Sequence, residues 1–530
     1  MLASKNSGSP EAPGLRPKAA ACKKVRFELD PEHELRAKNK ASKIFKPTTK
    51  HGVSPHPIGV KPLGNFYLRD ASATHDSYWR RKSLGFFDRL TDETILKLLE
   101  YCEPQEIIKL SFVSKGFYAF SYFDDPWKEL VVDEFNGDFD FKGSWRLTYI
   151  YRAFSNIIPF DLNPFPVQIS DFYSDVLFQP WLCASTGIAP FLGKENIDRR
   201  SNLSLEDFIK EYELPNKPVI IADVIENWPA FKTWTEEKLT ELYGEVKFRA
   251  EAIDISLKRY FEYAHQNLDE SPVYLFDKKF GDNCPGMLAD FEVPIYFRDD
   301  LFQLLGNCRR PDYRWLIIGP ARSGSTFHKD PNATSAWNAV ITGSKKWIMF
   351  PPNCPPPGVY TNKDESEVTS PVSIMDWHLN YYQEAISEME VKPIEAICRA
   401  GEIMFVPSGW WHLVVNLEDS IALTQNYVSH QNAEAVLNFM YHKPDQVSGW
   451  RYDPSCPPEK EEVLPEGSVR QTLFDAFSEK YEAINHELVT KVKSTQSKAN
   501  PAPSFWQKLT TQDGGGFQFG FDVSDEEFDE

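Results

Sequence analysis

No stretch of this 530-residue sequence approaches the roughly eighteen consecutive apolar residues that a membrane-crossing helix requires, and the N-terminus lacks the apolar core of a signal peptide. No C-x-x-C pair occurs either: the eight cysteines, at positions 22, 102, 183, 284, 308, 354, 398 and 456, are scattered. That spacing argues against a structural zinc site or a disulfide framework and fits a reducing compartment. An excess of positive charge is missing as well. The formal net charge is −19, which counts against sequence-specific DNA binding, because phosphate neutralisation supplies much of that affinity. The absences together lead to the expectation of a soluble intracellular protein with no membrane partner.

What is present describes a globular chain with room for two to four domains: 42% hydrophobic residues and 14% aromatic. Charge is unevenly spread. Residues 1–82 hold 17 Lys and Arg against 7 Asp and Glu, whereas six of the last ten residues are acidic. The basic clusters Lys23-Lys24-Val25-Arg26, Lys38 to Lys46 and Arg80-Arg81-Lys82 are read as a nuclear address or a nucleic-acid arm, with a solvated leader as the plain alternative. Residues 1–82 have little periodic hydrophobicity and are expected to be a disordered basic leader. The nucleus is the expected location, with the cytoplasm as the alternative.

Residues 83–132 have a helical texture. Leu90, Ile95, Leu98 and Leu99 are expected on one face of a first helix, Glu103-Pro104 breaks it, and Ile107, Ile108, Leu110 and Val113 begin a second, with Trp127 and Leu130 closing the unit. About fifty residues make a marginal core, so the apolar surface should pack on something else. The order Leu90, Glu93, Ile95, Leu98, Ile107, Leu110, Val113-Ser114-Lys115, Phe117 and Trp127-Lys128-Glu129-Leu130 resembles an F-box. The resemblance implies docking on the adaptor subunit of a cullin-type ubiquitin ligase through Leu90, Ile95, Leu98, Ile107 and Leu110. Where F-boxes commonly carry proline after the first leucine this chain has Thr91, a residue suited to capping the helix.

Residues 133–203 form a connecting segment without a clear period. From 204 to 430 many short β-patterned runs alternate with Gly, Pro and Asn turns, among them YRWLIIG, SAWNAVITG, KKWIMFPP, WHLVVNL and IALTQNYV. Such spacing predicts an α+β fold built on a jelly-roll barrel with flanking helices. Residues 431–494 turn helical again: Ser468 to Gln471 reads as a capping box, and Phe477, Tyr481, Ile484 and Leu488 recur as one stripe, which packs on the barrel or forms a homodimer face. Residues 495–530 are expected to be an acidic disordered tail.

Chemistry-bearing residues gather in the barrel. His328 and Asp330 are one residue apart, and on a strand such a pair shares a face. His412 stands in the apolar run WWHLVVNL, where an imidazole needs a hydrogen-bond partner or a metal. Two imidazoles and a carboxylate that leave open positions suit a non-haem Fe(II) oxygenase, and a zinc hydrolase offers a competing reading of the same ligands. Lys345, in a hydrophobic segment after Gly343-Ser344, would need an anion if buried. The far carboxylate of 2-oxoglutarate would serve, with Tyr274, Asn338, Thr424 and Ser325 as polar neighbours. Lys346 beside it reads as a surface residue.

The stretches PVYLFD (272–277), RRPDYRWLIIGPARSGSTFHKDPNATSAWNAVITGSKKWIMFP (309–351) and GEIMFVPSGWWHLVVNLEDSIALTQNY (401–427) resemble the JmjC family of Fe(II)- and 2-oxoglutarate-dependent oxygenases, in the branch first described as the phosphatidylserine receptor. The resemblance implies a double-stranded β-helix of the cupin type. It implies His328, Asp330 and His412 as iron ligands, and Lys345, Tyr274, Asn338 and Thr424 around the co-substrate. Ser325 stands where that family normally has threonine, and its hydroxyl is retained. The implied activity is oxidation of protein side chains, with lysyl hydroxylation leading and N-methyl demethylation of histone lysine or arginine as the alternative. A non-catalytic F-box substrate receptor is the reading from a different class.

Overall fold

A computed structural model describes residues 55–67, 79–154, 166–450 and 472–495. All of them lie within one compact unit, Pro55–Glu530. Eight strands make the barrel: β1 (Arg314–Gly319), β2 (Gly324–His328), β3 (Ser335–Thr342), β4 (Ser344–Phe350), β5 (Ile394–Arg399), β6 (Ile403–Val406), β7 (Trp411–Asn416) and β8 (Ser420–Tyr427). They pair as two antiparallel four-stranded sets, β6-β3-β8-β1 and β5-β4-β7-β2. Consecutive strands therefore lie in different sheets at every step except β4–β5, which is the connectivity of a jelly roll. The first set is extended by Val219–Ile221 and Arg199–Arg200 on one edge and by Leu275–Asp277, Lys247–Ala250 and Ile253–Ser256 on the other.

Both faces of both sheets are covered, so the strands read as nearly unbroken hydrophobic runs. Between the sheets lie Ala336, Val340, Trp347, Met349, Met404 and Val414. Outside the larger sheet, Trp337, Ala339, Phe405 and Leu423 pack under the helices of residues 205–297. Outside the smaller one, Ile348, Phe350, Trp411 and Leu413 pack under the helix Ile374–Ser387. Alternation along each strand sorts side chains between two apolar environments, and the polar residues His412, Lys345, Asn338 and Thr424 are exceptions within the barrel interior.

The helical unit begins earlier than its sequence pattern suggests. Within the expected leader, Ile58 and Val60 are buried with Trp79, Leu84 and Phe172 in one core, so residues 55–67 and 79–82 belong to the folded body; residues 1–54 and 68–78 lie outside the described ones. Thr91 does cap the helix Asp92–Glu100, accepting from the Thr94 amide. The connecting segment carries two helices, Trp145–Phe154 and Asp175–Ser185, the second packed in the same core as Trp79 through Leu177.

At the C-terminal end, the capping box expected at 468–471 lies outside the described residues. The observed one is Thr472 with Asp475, opening a helix at Leu473–Tyr481. A second helix, His486–Ser494, is capped separately by Asn485. The expected single stripe is thus broken, because Ile484 falls in the turn between the helices and is half exposed. Phe477 and Tyr481 pack inward on Val436, Leu437 and Phe302. Of the acidic tail expected from 495, only Thr495 is described.

Candidate active site

The site is built where β2 meets β7. His328 is the register partner of His412, and Ser325 that of Val414, so two residues on β7 span three on β2. This bulge matters. A spacing of three on a regular strand puts side chains on opposite faces, but the extra residue lets Ser325 and His328 both face the barrel interior, as their partners do. Phe327, between them, packs into the outer cluster instead. Asp330 follows the end of β2, and its carboxylate returns to the two imidazoles: one candidate ligand atom from each of His328, Asp330 and His412 lies within 4.8 Å of the others.

Each imidazole is oriented by its own chain. The Nδ1 of His328 is 2.8 Å from the Thr326 carbonyl oxygen and that of His412 is 3.0 Å from the Trp410 carbonyl oxygen. A carbonyl only accepts, so each Nδ1 carries the proton and donates, which makes Nε2 the lone-pair atom. Burial pushes both histidines down to about 4, for His328 with repulsion from His412 added; both are neutral at physiological pH, as ligands must be. Burial raises Asp330 to about 6, and its Oδ2 has no hydrogen-bond partner. A buried carboxylate oxygen left unpaired beside two neutral imidazoles is a donor set that fits a divalent transition metal.

Further along the barrel, Lys345 is fully buried on β4, as the register partner of Asn416 on β7. Its Nζ donates to the Tyr274 hydroxyl at 2.8 Å and to Asn416 Oδ1 at 2.6 Å. Among the described residues no carboxylate pairs with it, and burial pulls it down to about 7. Burial raises the Tyr274 phenol, so its hydroxyl keeps its proton and can donate onward. Asn416 in turn donates to Ser323 Oγ at 2.9 Å. The Tyr274 ring fits only because residue 319 is glycine: a Cβ there would lie 2.6 Å from the ring. Gly343, with φ of 78°, makes the tight turn from β3 to β4 that sets Lys345 in register.

Asn338 and Thr424 are register partners on β3 and β8. Both are buried; Thr424 donates to the Trp337 carbonyl, while Asn338 Oδ1 has no partner. Lys346 is a correction. It is buried, not on the surface, and forms an ion pair of 2.8 Å with Glu395 on the outer side of the small sheet. Asn416, Ser323 and Gly319 were missed by sequence reasoning. An Asn inside the apolar run WHLVVN was the available signal.

The five leucines and isoleucines expected to meet a partner divide. Ile95 and Ile107 are inside, 1% and 3% exposed, because positions 95 and 99 face inward on the first helix, and they do not present a surface. Leu90 and Leu110 are half-buried, and Leu98 is 43% exposed. The exposed apolar surface of this unit consists instead of Phe86, Phe87, Leu98, Tyr101, Phe112 and Val113.

Comparison with known proteins agrees with this geometry. A Cupin-like domain model matches residues 205–434 and an F-box domain model matches residues 87–129. The chain is 42% identical over 484 residues to the Arginine-specific demethylase JMJ22 of Arabidopsis thaliana, covering 90% of each. It is 37% identical over 265 residues to the Bifunctional arginine demethylase and lysyl-hydroxylase psr-1 of Caenorhabditis elegans, covering 48% of this chain and 66% of that one. It is 28% identical over 289 residues to the human 2-oxoglutarate and iron-dependent oxygenase JMJD4, covering 47% of this chain and 66% of that one. With its cupin-type barrel, its His/Asp/His cluster and an F-box ahead of them, the chain belongs to the JmjC-domain oxygenases, enzymes that use iron and 2-oxoglutarate.

Proposed function

We propose that His328, Asp330 and His412 hold the iron, that Lys345 anchors 2-oxoglutarate, and that the enzyme oxidises basic side chains of a partner protein. The observation that carries this reading is Lys345. A buried lysine whose hydrogen-bond partners are the neutral Tyr274 and Asn416 is stable as an ammonium only when an anion joins it. A dicarboxylate reaching toward the metal ligands supplies that anion, which a zinc hydrolase has no need of.

Iron and 2-oxoglutarate, when bound, would supply the activation of O2, which is the oxidant: one oxygen atom would go into succinate as the co-substrate loses CO2, and the other into the substrate side chain. The chain's own residues do the rest. Two backbone carbonyls fix the imidazoles, Asp330 brings the third ligand and one negative charge, and Tyr274 and Asn416 aim the Lys345 ammonium. Asn338 offers a buried amide with an unfilled acceptor, while Trp347, Ile317 and Ala422 keep water from the pocket.

N-methylarginine demethylation is favoured by the identity to JMJ22 along 90% of its length. Lysyl hydroxylation, the leading expectation from the sequence, remains the second reading because psr-1 is named for both activities. The two differ in the substrate residue and in the carbon oxidised: a hydroxylated N-methyl group collapses to formaldehyde, whereas a hydroxylated side-chain carbon is stable. For the F-box, the exposed face around Tyr101 and Phe112 supports docking on a ubiquitin-ligase adaptor, which would bring the substrate and the ligase together. The purified full-length chain, Fe(II), 2-oxoglutarate and a pool of methylated and unmodified basic peptides separate the outcomes by mass: loss of a methyl group with formaldehyde, or gain of one oxygen. Normal succinate formation by His328→Ala would overturn the site assignment.

A further inference from the structure

Tyr274 sits at the start of a short strand, and the backbone that aims its ring is held by three successive side-chain contacts. The Val273 amide donates to the Tyr263 hydroxyl at 2.8 Å, the Tyr274 amide to Glu251 Oε1 at 3.1 Å, and the Leu275 amide to the Tyr260 hydroxyl at 3.3 Å. Two of these three holders are held in turn by the helical domain. Glu251 forms an ion pair of 3.6 Å with Lys128, on the helix Asp125–Phe135 that closes the F-box. The Tyr263 hydroxyl donates to Asp269 Oδ2 at 2.6 Å, and the same oxygen accepts from Trp145 Nε1 at 2.9 Å; Trp145 opens the next helix, Trp145–Phe154. Lys128 also lies over the Trp145 ring, 5.7 Å from its centre. Glu251 itself stands in a turn with φ of 51°, a left-handed conformation unusual for glutamate.

The geometry points to Lys128 and Trp145 as positioning residues for 2-oxoglutarate. They act through Glu251 and through Asp269–Tyr263 on the backbone of Tyr274, and thereby on the hydroxyl that aims Lys345. The F-box end of the helical domain is then a structural part of the co-substrate site as well as an adaptor arm. This inference rests on the assignment of Lys345 and Tyr274 to 2-oxoglutarate. Neither Lys128 nor Trp145 touches the reacting atoms, so their loss should weaken co-substrate binding and leave the chemical step alone.

The test uses the full-length chain with Mn(II) in place of iron, so that 2-oxoglutarate binds without turnover and calorimetry reads its Kd directly. Losing a partly exposed ion pair in Lys128→Met should raise Kd about two- to fivefold, and the double variant Lys128→Met/Trp145→Phe about tenfold. Lys128→Arg should restore the wild-type value. With iron, KM for 2-oxoglutarate should rise in the same proportion while kcat stays within about twofold of wild type. Glu251→Gln, which keeps an oxygen for the Tyr274 amide but loses the charge, should match Lys128→Met and not exceed it. Leu98→Asp, on the exposed F-box face, should leave Kd unchanged. An unchanged Kd in the double variant, alongside a large loss in Lys345→Ala, would overturn the positioning role; an unchanged Kd in Lys345→Ala would instead overturn the co-substrate site itself. A fall in kcat with Kd unchanged would also refute the inference.

Discussion

Lys345 makes the affinity for 2-oxoglutarate depend on pH in a direction that can be worked out from its surroundings. Burial pulls the free amine down to about 7, so the empty site holds an ammonium in about half the molecules at pH 7, about one in ten at pH 8 and about one in a hundred at pH 9. Only the ammonium pairs with the far carboxylate, and that pairing returns the bound lysine toward its ordinary value. The apparent Kd is the intrinsic one divided by the competent fraction, so it should rise about fivefold from pH 7 to 8 and about fiftyfold from pH 7 to 9. Below pH 6 this effect should level off. Calorimetry with Mn(II), in buffers of different ionisation enthalpy at pH 8, should show uptake of nearly one proton for each 2-oxoglutarate bound. Lys345→Arg, always charged, should lose the pH dependence even if its affinity is lower. The free protein gives an independent check of sign. Its folded-state lysine pKa lies below the unfolded value, so the unfolded chain binds more protons between about 7 and 10.5, and the Lys345 contribution to stability should improve as pH rises through that window. A Kd that is flat from pH 7 to 9 with no proton uptake would refute the reasoning.

Other expectations follow from individual contacts. Gly319→Ala places a Cβ against the Tyr274 ring, so 2-oxoglutarate affinity should fall about tenfold or more with little change in bound metal, read by calorimetry and metal analysis. Lys346→Ala leaves Glu395 buried without its cation and should destabilise the fold by about 3–5 kcal/mol in urea denaturation, whereas an isosteric Lys346→Met/Glu395→Gln pair should cost less. Tyr101→Asp with Phe112→Asp, both on the exposed F-box face, should abolish capture of a purified ubiquitin-ligase adaptor while succinate production continues at the wild-type rate.

The sequence by itself determined the kinds of residue available and their local conformations. A Thr91 cap, short β-rich runs and the chemical nature of a His/Asp/His set are all local, and local physics is enough to read them. It also bounded the ligand: a lysine inside SKKWIMF needs an anion wherever it is buried. That Lys345 faces inward was read from the sequence, but that Lys346 is buried as well was not, because alternation gives the face a side chain takes and not what covers that face, and the helix Ile374–Ser387 comes to pack on the outer side of this sheet only in the folded chain. The same limit misplaced Ile95 and Ile107 as docking residues, since an apolar helix face looks alike whether it meets its own core or a partner. The β2 bulge that turns Ser325 and His328 to the same side arises from pairing with β7, nearly ninety residues away in the chain. Only the tertiary structure could join Lys128 and Trp145 to Tyr274, because that link runs through side chains brought together by packing and leaves no period in the sequence.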